Sequence, residues 1–226
     1  MDIFKQHELF EIEILEIMNS ARMLEPLVFG GGTMLRLCHE LKRYSADLDF
    51  WFVKKIPQRK YFADLRRVFE KNYEITDAEI KRYTLQFELR SALYPKRLKI
   101  EIRRELTECD YQKKIAFSKS VTRQVLVKAH TLEQTMKNKL NAFLQRGEIR
   151  DCFDIEFLIR RGIELPVSSA REALKLKERI SEFKDMDFSV KLGSILDKDM
   201  RSYYIENRFS FLEEKLSVII SGLFPA

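Results

Sequence analysis

Two aspartates in an alternating stretch of the chain are the residues best placed to do chemistry. Asp47 and Asp49 fall within residues 47–53, where polar and apolar side chains alternate as they do along a strand. Positions i and i+2 of a strand point to the same face, so both carboxylates project together. Two carboxylates roughly 6 Å apart repel by about 3 kcal/mol at an effective dielectric near 20. A divalent cation between them removes that cost and supplies a Lewis acid, so the pair predicts a metal site. A solvated polar strand face is the alternative, since a single D-x-D is common.

A third carboxylate has the same setting on a later predicted strand. Residues 98–103 place three aliphatic side chains on one face and Glu101 on the other. If this strand neighbours the first, three carboxylates converge, as two-metal phosphoryl-transfer sites require. Taken alone, Glu101 is better explained as a surface charge. It becomes a candidate metal ligand because it follows the glycine run and the two aspartates in this order along the chain.

A glycine run precedes the acidic strand. Gly30, Gly31, Gly32 and Thr33 stand where a short apolar run meets the start of a predicted helix. Glycines let the backbone approach a bulky anion and adopt positive φ. The helix N-terminus offers unpaired N–H groups to a phosphate, and the Thr33 hydroxyl adds a donor. The run predicts phosphate binding, although a structural turn explains the same residues.

The elements that must position these residues follow an α+β order. Helices are predicted over residues 4–23, from the glycines to residue 41, and over residues 59–71. Strands are predicted over residues 47–53, 84–90 and 98–103, and a short apolar piece at residues 125–127 is expected to add an edge strand.

After His130 the pattern becomes helical to the end of the sequence. A capping box at Thr131 and Gln134 opens the first of these helices, and Gly147 ends it. The order of elements predicts an α+β lobe over residues 1–128, followed by a helical lobe over residues 129–226 that contributes to the active-site cleft.

The composition excludes several classes of protein. The 226 residues are 45% hydrophobic and 34% charged, which is typical of a soluble globular chain. Three glutamates interrupt the apolar residues 10–18, which excludes a signal-peptide core and a membrane span there. The three cysteines lack pairing logic and metal-ligand spacing, so we expect neither zinc nor disulfides, and a cytoplasmic location. The net charge of +6 favours a polyanionic partner such as RNA or a nucleoside triphosphate, although a lysine-rich surface gives the same charge.

The motifs, taken in order, resemble a known family. Gly31-Gly32-Thr33 with Leu35, followed by Arg43-x-Ser45-x-Asp47-Leu48-Asp49-Phe50, is similar to the start of the AbiEii/AbiGii toxin family. That family belongs to the DNA polymerase β-like nucleotidyltransferase superfamily. Its pattern is a glycine pair with a small hydroxyl residue, a D-h-D/E strand and a lone acidic residue on a later strand, the place that Glu101 holds here.

A second block extends the resemblance into the helical half. It consists of Lys139-Leu140-Asn141-Ala142, Arg146-Gly147 and Arg150-Asp151-x-x-Asp154-Ile155. These residues resemble the second signature of the family, a lysine helix followed by an R-D-x-x-D helix. Both blocks occur in the expected order, and together they span residues 28–158.

The resemblance implies a fold and a set of roles. The fold is a polymerase β-like nucleotidyltransferase lobe with a small mixed sheet, followed by a helical C-terminal lobe. The nucleotide-binding residues that it implies are Gly31, Gly32, Thr33 and Lys139. Arg43 and Ser45, just before the acidic strand, are also expected to bind the nucleotide through its phosphates, although a role in steadying the loop explains both residues equally well. The metal ligands are Asp47, Asp49 and Glu101, for Mg²⁺ or Mn²⁺. Lys139 would neutralise the triphosphate, and Asp154 would orient Lys139 or the base.

The function implied is transfer of a nucleoside monophosphate from an NTP to an acceptor. The expected acceptor is RNA such as tRNA, and the expected setting is a toxin–antitoxin or abortive-infection system with a cognate antitoxin protein. Nucleotidylation of a protein or small molecule is a second possibility, and a non-catalytic scaffold that binds RNA or a partner is a third. A kinase is not favoured, because the sequence lacks a G-x-x-x-x-G-K-S/T loop and an H-R-D element.

Overall fold

A computed structural model of the chain describes residues 3–119 and 122–223. The chain divides into two compact units, one ending at Thr131 and the other beginning at Leu132. The fold is α+β, with one mixed sheet of seven strands in the first unit and helices in the second. No helix within the described ranges is long and apolar enough to cross a membrane.

The first unit contains three helices and a seven-stranded sheet. Its elements are α1 (Ile3–Ser20), β1 (Leu27–Gly30), α2 (Gly31–His39), β2 (Asp47–Phe52), α3 (Gln58–Phe69), β3 (Glu74–Ile80), β4 (Thr84–Arg90), β5 (Leu98–Arg103), β6 (Tyr111–Phe117) and β7 (Gln124–His130). The strand order is β3-β4-β5-β2-β1-β7-β6. The pairs β2–β5 and β1–β7 are parallel and the remaining pairs are antiparallel, so the sheet is mixed.

The sheet buries one face and leaves polar residues on the other. The alternating apolar residues of the central strands, such as Phe50, Phe87 and Ile100, are at most 1% exposed. Helix α3 packs on this apolar face, where the rings of Phe62 and Phe69 contact the ring of Phe87. Burial of such side chains is the main source of folding free energy. The intervening residues of the same strands therefore carry the polar chemistry.

Two strands were not predicted from the sequence, and one prediction was wrong. β3 and β6 form the two edges of the sheet and are largely exposed, so they lack the strong apolar alternation that marks the inner strands. The predicted edge strand at residues 125–127 is the middle of β7. It lies inside the sheet, between β1 and β6, because β6 pairs along its outer side.

The regular elements of the second unit, over its described residues 132–223, are helices. Its helices are α4 (Leu132–Arg146), α5 (Ile149–Arg160), α6 (Ala170–Ser181), α7 (Lys198–Asn207) and α8 (Ser210–Leu223), with a π-helical turn over Asp187–Leu192 and a 3₁₀ turn over Gly193–Ile195. Helix α4 packs against α5, and α6 packs against α8. Gly147, with φ +67°, directly follows α4, as its place in the sequence predicts.

Candidate active site

The polar face of the sheet brings the glycine run and two of the predicted carboxylates into one cross-strand row. Gly30 of β1 is the register partner of Asp49 of β2. Asp49 is in turn the register partner of Glu101 on β5. Asp47 lies two residues before Asp49, on the same face, opposite Lys99. The strand order therefore places the glycine run, the aspartates and Glu101 next to one another, as the predicted site requires.

The glycine run fits closely against the residues of the acidic strand and the loop before it. Gly31 has φ +77°, and a Cβ added there would collide with the carboxylate of Asp49. A Cβ on Gly32 would lie 2.5 Å from Nη2 of Arg43 and 2.7 Å from Oγ of Ser45. Larger residues do not fit at either position, so Arg43 and Ser45 lie directly behind the turn, next to the start of α2.

Thr33 lies in the same turn, but its side chain faces the core. Its side chain is fully buried, beside the carboxyl group of Glu11 on α1. The first N–H groups of a helix have no intrahelical acceptor, and α2 begins at Gly31. The donors that the turn offers to a ligand are therefore the backbone N–H groups of Gly31, Gly32 and Thr33.

Polar residues of α1 contact both the start of the acidic strand and the helix that follows the glycine turn. The sequence patterns did not indicate these residues. His7 Nε2 donates a hydrogen bond to the carbonyl oxygen of Ala46, 2.9 Å away, directly before Asp47. Glu8 forms an ion pair with Arg36 of α2, whose Nη1 donates to the carbonyl oxygen of Leu41 at 2.9 Å. No local sequence pattern distinguishes these residues, because a polar side chain on an amphipathic helix is ordinarily exposed.

Glu11 of α1 lies beside Thr33 of the glycine turn and has a raised pKa. It is fully buried, and neither of its carboxyl oxygens has a hydrogen-bond partner among residues 3–119 and 122–223. Burial, and then the charge of Glu8, raise the pKa of Glu11 well above its usual value. The nearest basic group is His7, with Nε2 3.7 Å from the carboxyl group, and burial lowers the pKa of His7. Both groups are therefore favoured in their neutral forms.

The carboxylates of the row suit a hard divalent cation in their chemistry. Asp47, Asp49 and Glu101 are half-buried, and oxygen donors of this kind are the ligands that Mg²⁺ prefers. Glu101 forms an ion pair with Lys99, and this contact raises the pKa of Lys99. Within residues 3–119 and 122–223, no three His, Cys, Asp or Glu side chains stand close enough together to form a ready metal site. The donor set fits the ion, but Glu101 must leave Lys99 to join it.

An aromatic pair continues the same face of the sheet. The rings of Trp51 and His130 lie 4.7 Å apart between centroids. A Cβ on Gly30 would lie 2.6 Å from the Trp51 ring and 2.7 Å from Nδ1 of His130, so the absence of a side chain at Gly30 allows both rings to close over it. Burial lowers the pKa of His130 to about 4, which keeps its ring uncharged at neutral pH.

The second unit holds the remaining predicted residues in a charged cluster of its own. Nζ of Lys139 lies 2.7 Å from Asp154 and 3.1 Å from Asp151. Nε of Arg146 lies 2.7 Å from Asp151, and both aspartates are fully buried. The family resemblance implies that Asp154 orients Lys139, and the structure places the carboxylates of both Asp154 and Asp151 next to Lys139. Two cations balance two anions, which is the arrangement that buried charges need.

Comparison with known structures finds solved proteins with a similar fold. JHP933 from Helicobacter pylori superposes with a TM-score of 0.54 at 19% identity, covering 96% of both chains. A putative nucleotidyltransferase from H. pylori gives a TM-score of 0.51 at 20% identity, covering 92% of this chain and 96% of that one. The nucleotidyltransferase toxin MenT4 (Rv2826c) from Mycobacterium tuberculosis H37Rv gives 0.60 at 16% identity, covering 93% and 86%. These identities support a shared fold.

Comparison with curated proteins found no match. The model of one protein family, described as nucleotidyl transferase AbiEii toxin, type IV TA system, matches residues 14–217. This match covers most of the chain and includes both units, with the glycine turn, the acidic strands and the lysine cluster. The chain therefore belongs to the AbiEii nucleotidyltransferase toxin family of type IV toxin–antitoxin systems.

Proposed function

We propose that this chain transfers a nucleoside monophosphate from an NTP to an RNA acceptor in a Mg²⁺-dependent reaction. The observation that carries the proposal is that the Asp49 carboxylate lies against the backbone of Gly31. Glu101 is the register partner of Asp49 on the neighbouring strand. An anion-binding turn in contact with a metal-binding carboxylate is the combination that transfer from a triphosphate requires.

The glycine turn is the proposed seat of the nucleotide phosphates. Gly31 and Gly32 carry no side chain that would block the start of α2, and the N–H groups of the first turn of a helix point toward the end at which the helix begins. Arg43 is buried with its guanidinium against Gly32, so its positive charge supports the anion from behind the turn. Ser45, on the same side of Gly32, adds a hydroxyl group.

Asp47 and Asp49 are the residues that would hold Mg²⁺, with Glu101 as the third ligand once it leaves Lys99. The bound ion would neutralise the phosphate charge and polarise the α-phosphate. The oxygen of the acceptor hydroxyl forms a bond to the α-phosphorus as the bond to pyrophosphate breaks. Glu101 is the carboxylate proposed to take the proton of that hydroxyl. The roles of Lys139 with the triphosphate and of Asp154 in orienting Lys139 stay predictions from the family resemblance.

Transfer of label from an NTP tests the reaction. The protein is incubated with each α-³²P-labelled NTP, Mg²⁺ and total RNA, and the RNA, protein and small-molecule fractions are counted separately. We expect label in RNA, lost with EDTA, and lowered on the order of 100-fold or more by Asp49→Ala, because metal stabilisation is worth several kcal/mol. Asp199→Asn, an exposed aspartate in the first turn of α7, is the matched control.

The same experiment separates the alternatives. Label in the protein or small-molecule fraction would mean that the chain transfers a nucleotide to an acceptor other than RNA. The proposed class of reaction would stay the same. Transfer that survives Asp49→Ala would contradict the mechanism. Calorimetry that detects tight RNA binding but no Mg²⁺–NTP binding would favour a non-catalytic scaffold. Growth arrest on expression, relieved by an antitoxin encoded beside the gene, would test the toxin role in cells.

A further inference from the structure

A second set of residues continues the carboxylate row across the sheet. Tyr111 on β6 is the register partner of His130 on β7, and Ala129 is the register partner of Phe29 on β1. The residues beside Phe29 and Ala129 therefore share the polar face that carries Asp49. The resulting row consists of Tyr111, His130, Gly30, Asp49 and Glu101.

A parallel row lies two residues further along each strand. It consists of Lys113, Lys128, Val28, Trp51 and Arg103. Trp51 is half-buried and stands between the lysines on one side and Arg103 on the other. Trp51, two residues after Asp49 on β2, thus lies on the same face of the sheet as that carboxylate.

Tyr111, His130 and Trp51 lie on the same face of the sheet as the carboxylates, and we call these three residues the aromatic surface. Trp51 packs on His130, which is 1% exposed and supports the indole from the sheet side. Tyr111, opposite His130, is 48% exposed. Tyr111 also lines a cavity of about 460 Å³ together with Val53 and residues 106–109. Aromatic side chains with open faces accept nucleobases by stacking, with little preference for sequence.

Positive charge surrounds this aromatic surface. Lys113 and Arg103 are exposed, and Lys128 is half-buried beside them in the same row. Burial lowers the pKa of Lys128, and the charges of Lys54 and Lys113 add to the effect. Such a concentration of cations favours a polyanion over an apolar partner.

We propose that this surface receives the unpaired end of the nucleic-acid acceptor, with bases stacked on Trp51 and Tyr111 and phosphates on Lys113 and Arg103. The inference rests on the proposed transfer to RNA. It assigns the acceptor to the β6–β7 side of the carboxylates, and the nucleotide phosphates to the glycine turn.

Trp51 is the only tryptophan of the sequence, so tryptophan emission, excited at a wavelength where tyrosine absorbs little, reports on this surface. The full chain is titrated in Mg²⁺ with an unstructured eight-nucleotide oligoribonucleotide, with an NTP and with inorganic tripolyphosphate. We expect saturable quenching by the oligonucleotide that weakens with added salt, and none by tripolyphosphate. Equal quenching by tripolyphosphate would overturn the proposal. So would quenching by the NTP without quenching by the oligonucleotide, since the surface would then seat the incoming base.

Variants at other positions keep Trp51 as the fluorescent reporter. They separate the contribution of base stacking to oligonucleotide binding from the contribution of positive charge. Tyr111→Ser is expected to weaken oligonucleotide binding about tenfold, whereas Tyr111→Phe retains it. Lys113→Gln is expected to weaken binding and lower its salt dependence. Tyr83→Ser is the matched control, because Tyr83 is 64% exposed in the turn between β3 and β4. Wild-type affinity in both Tyr111→Ser and Lys113→Gln would overturn the proposal.

Two further outcomes separate this proposal from the others. Label transfer to RNA without any quenching by the oligonucleotide would overturn the docking surface and leave the proposed reaction standing. A Trp51 emission maximum that shifts with protein concentration, in the absence of ligand, would assign the surface to a second copy of the chain and overturn acceptor docking.

Discussion

The Asp49 carboxylate of β2 lies directly against the backbone of Gly31, the first residue of α2, and leaves no room for a side chain at position 31. The backbone of Gly31 has φ +77°, and the Asp49 carboxylate lies where a Cβ would stand. The contact joins the start of α2 to the acidic strand. Any side chain at position 31 must therefore move the carboxylate on which the proposed metal site depends.

The first prediction concerns this contact. Gly31→Ala is expected to destabilise the fold by about 1–2 kcal/mol from its left-handed backbone alone, and further from the collision with Asp49. Transfer activity should fall more than stability explains, because the carboxylate is displaced. Urea unfolding and label transfer measure the two effects.

Gly162→Ala is the control for backbone strain. Gly162 has φ +83°, and a Cβ there meets nothing within 4 Å. It should therefore lose stability from strain alone and keep its activity. Equal activity losses in the two variants would contradict a specific role for the contact between Gly31 and Asp49.

The second prediction concerns the ion pair of Lys99 with Glu101. Lys99→Met removes the cation that holds Glu101, so we expect the half-saturating Mg²⁺ concentration for transfer to fall about two- to fivefold, the factor that a partly exposed ion pair is worth. Lys175→Met, an exposed position on α6, should leave the Mg²⁺ dependence unchanged. An unchanged Mg²⁺ requirement in Lys99→Met would indicate that Glu101 takes no part in metal binding.

The third prediction is a pH dependence of stability from Glu11. Its folded pKa is raised above the ordinary value of 4.5, so the folded chain keeps a proton that the unfolded chain loses. The stability contribution of Glu11 therefore falls as pH rises from that value toward the folded pKa, by up to about 1.4 kcal/mol per pH unit. Glu11→Gln removes this term.

Urea unfolding of both proteins at pH 5, 6, 7 and 8 provides the measurement. The stability advantage of Glu11→Gln should grow with pH, because only the wild type must keep a buried carboxyl group protonated. An advantage that is constant across the series would mean that Glu11 is ionised in the folded protein.

The fourth prediction concerns the cluster around Lys139. Lys139→Met removes the ammonium group 2.7 Å from the buried Asp154, and we expect a loss of about 3–5 kcal/mol in unfolding free energy. Lys137→Met, exposed on the same helix, should change stability by less than about 0.5 kcal/mol.

A double variant separates stability from activity in this cluster. Lys139→Met combined with Asp154→Asn should recover part of the stability, because the second change removes the buried charge that the first leaves behind. If Lys139 also binds the triphosphate, the double variant stays inactive. Recovery of transfer together with stability would limit Lys139 to a structural role.

Much of the fold and of the candidate site could be predicted from local patterns. The predicted strands at residues 84–90 and 98–103 coincide with β4 and β5, because apolar and polar side chains alternate along both segments. The family followed from motifs that stay within a few residues of one another. β3 and β6 could not be predicted in this way, since edge strands bury little and carry weak alternation.

The sequence by itself determined which face of β2 is polar. It also showed the glycines, which are needed where two chain segments approach closely. The resemblance to the family added a lysine helix followed by an acidic helix. Only the tertiary structure decided that Asp49 has Gly30 on one side and Glu101 on the other, because strand order depends on how distant segments pair. It also decided that Glu11 of α1 lies beside Thr33 of the glycine turn, and that Thr33 faces the core. Local periodicity tells which side of an element is buried, but the partner on that side is a property of the whole packed chain.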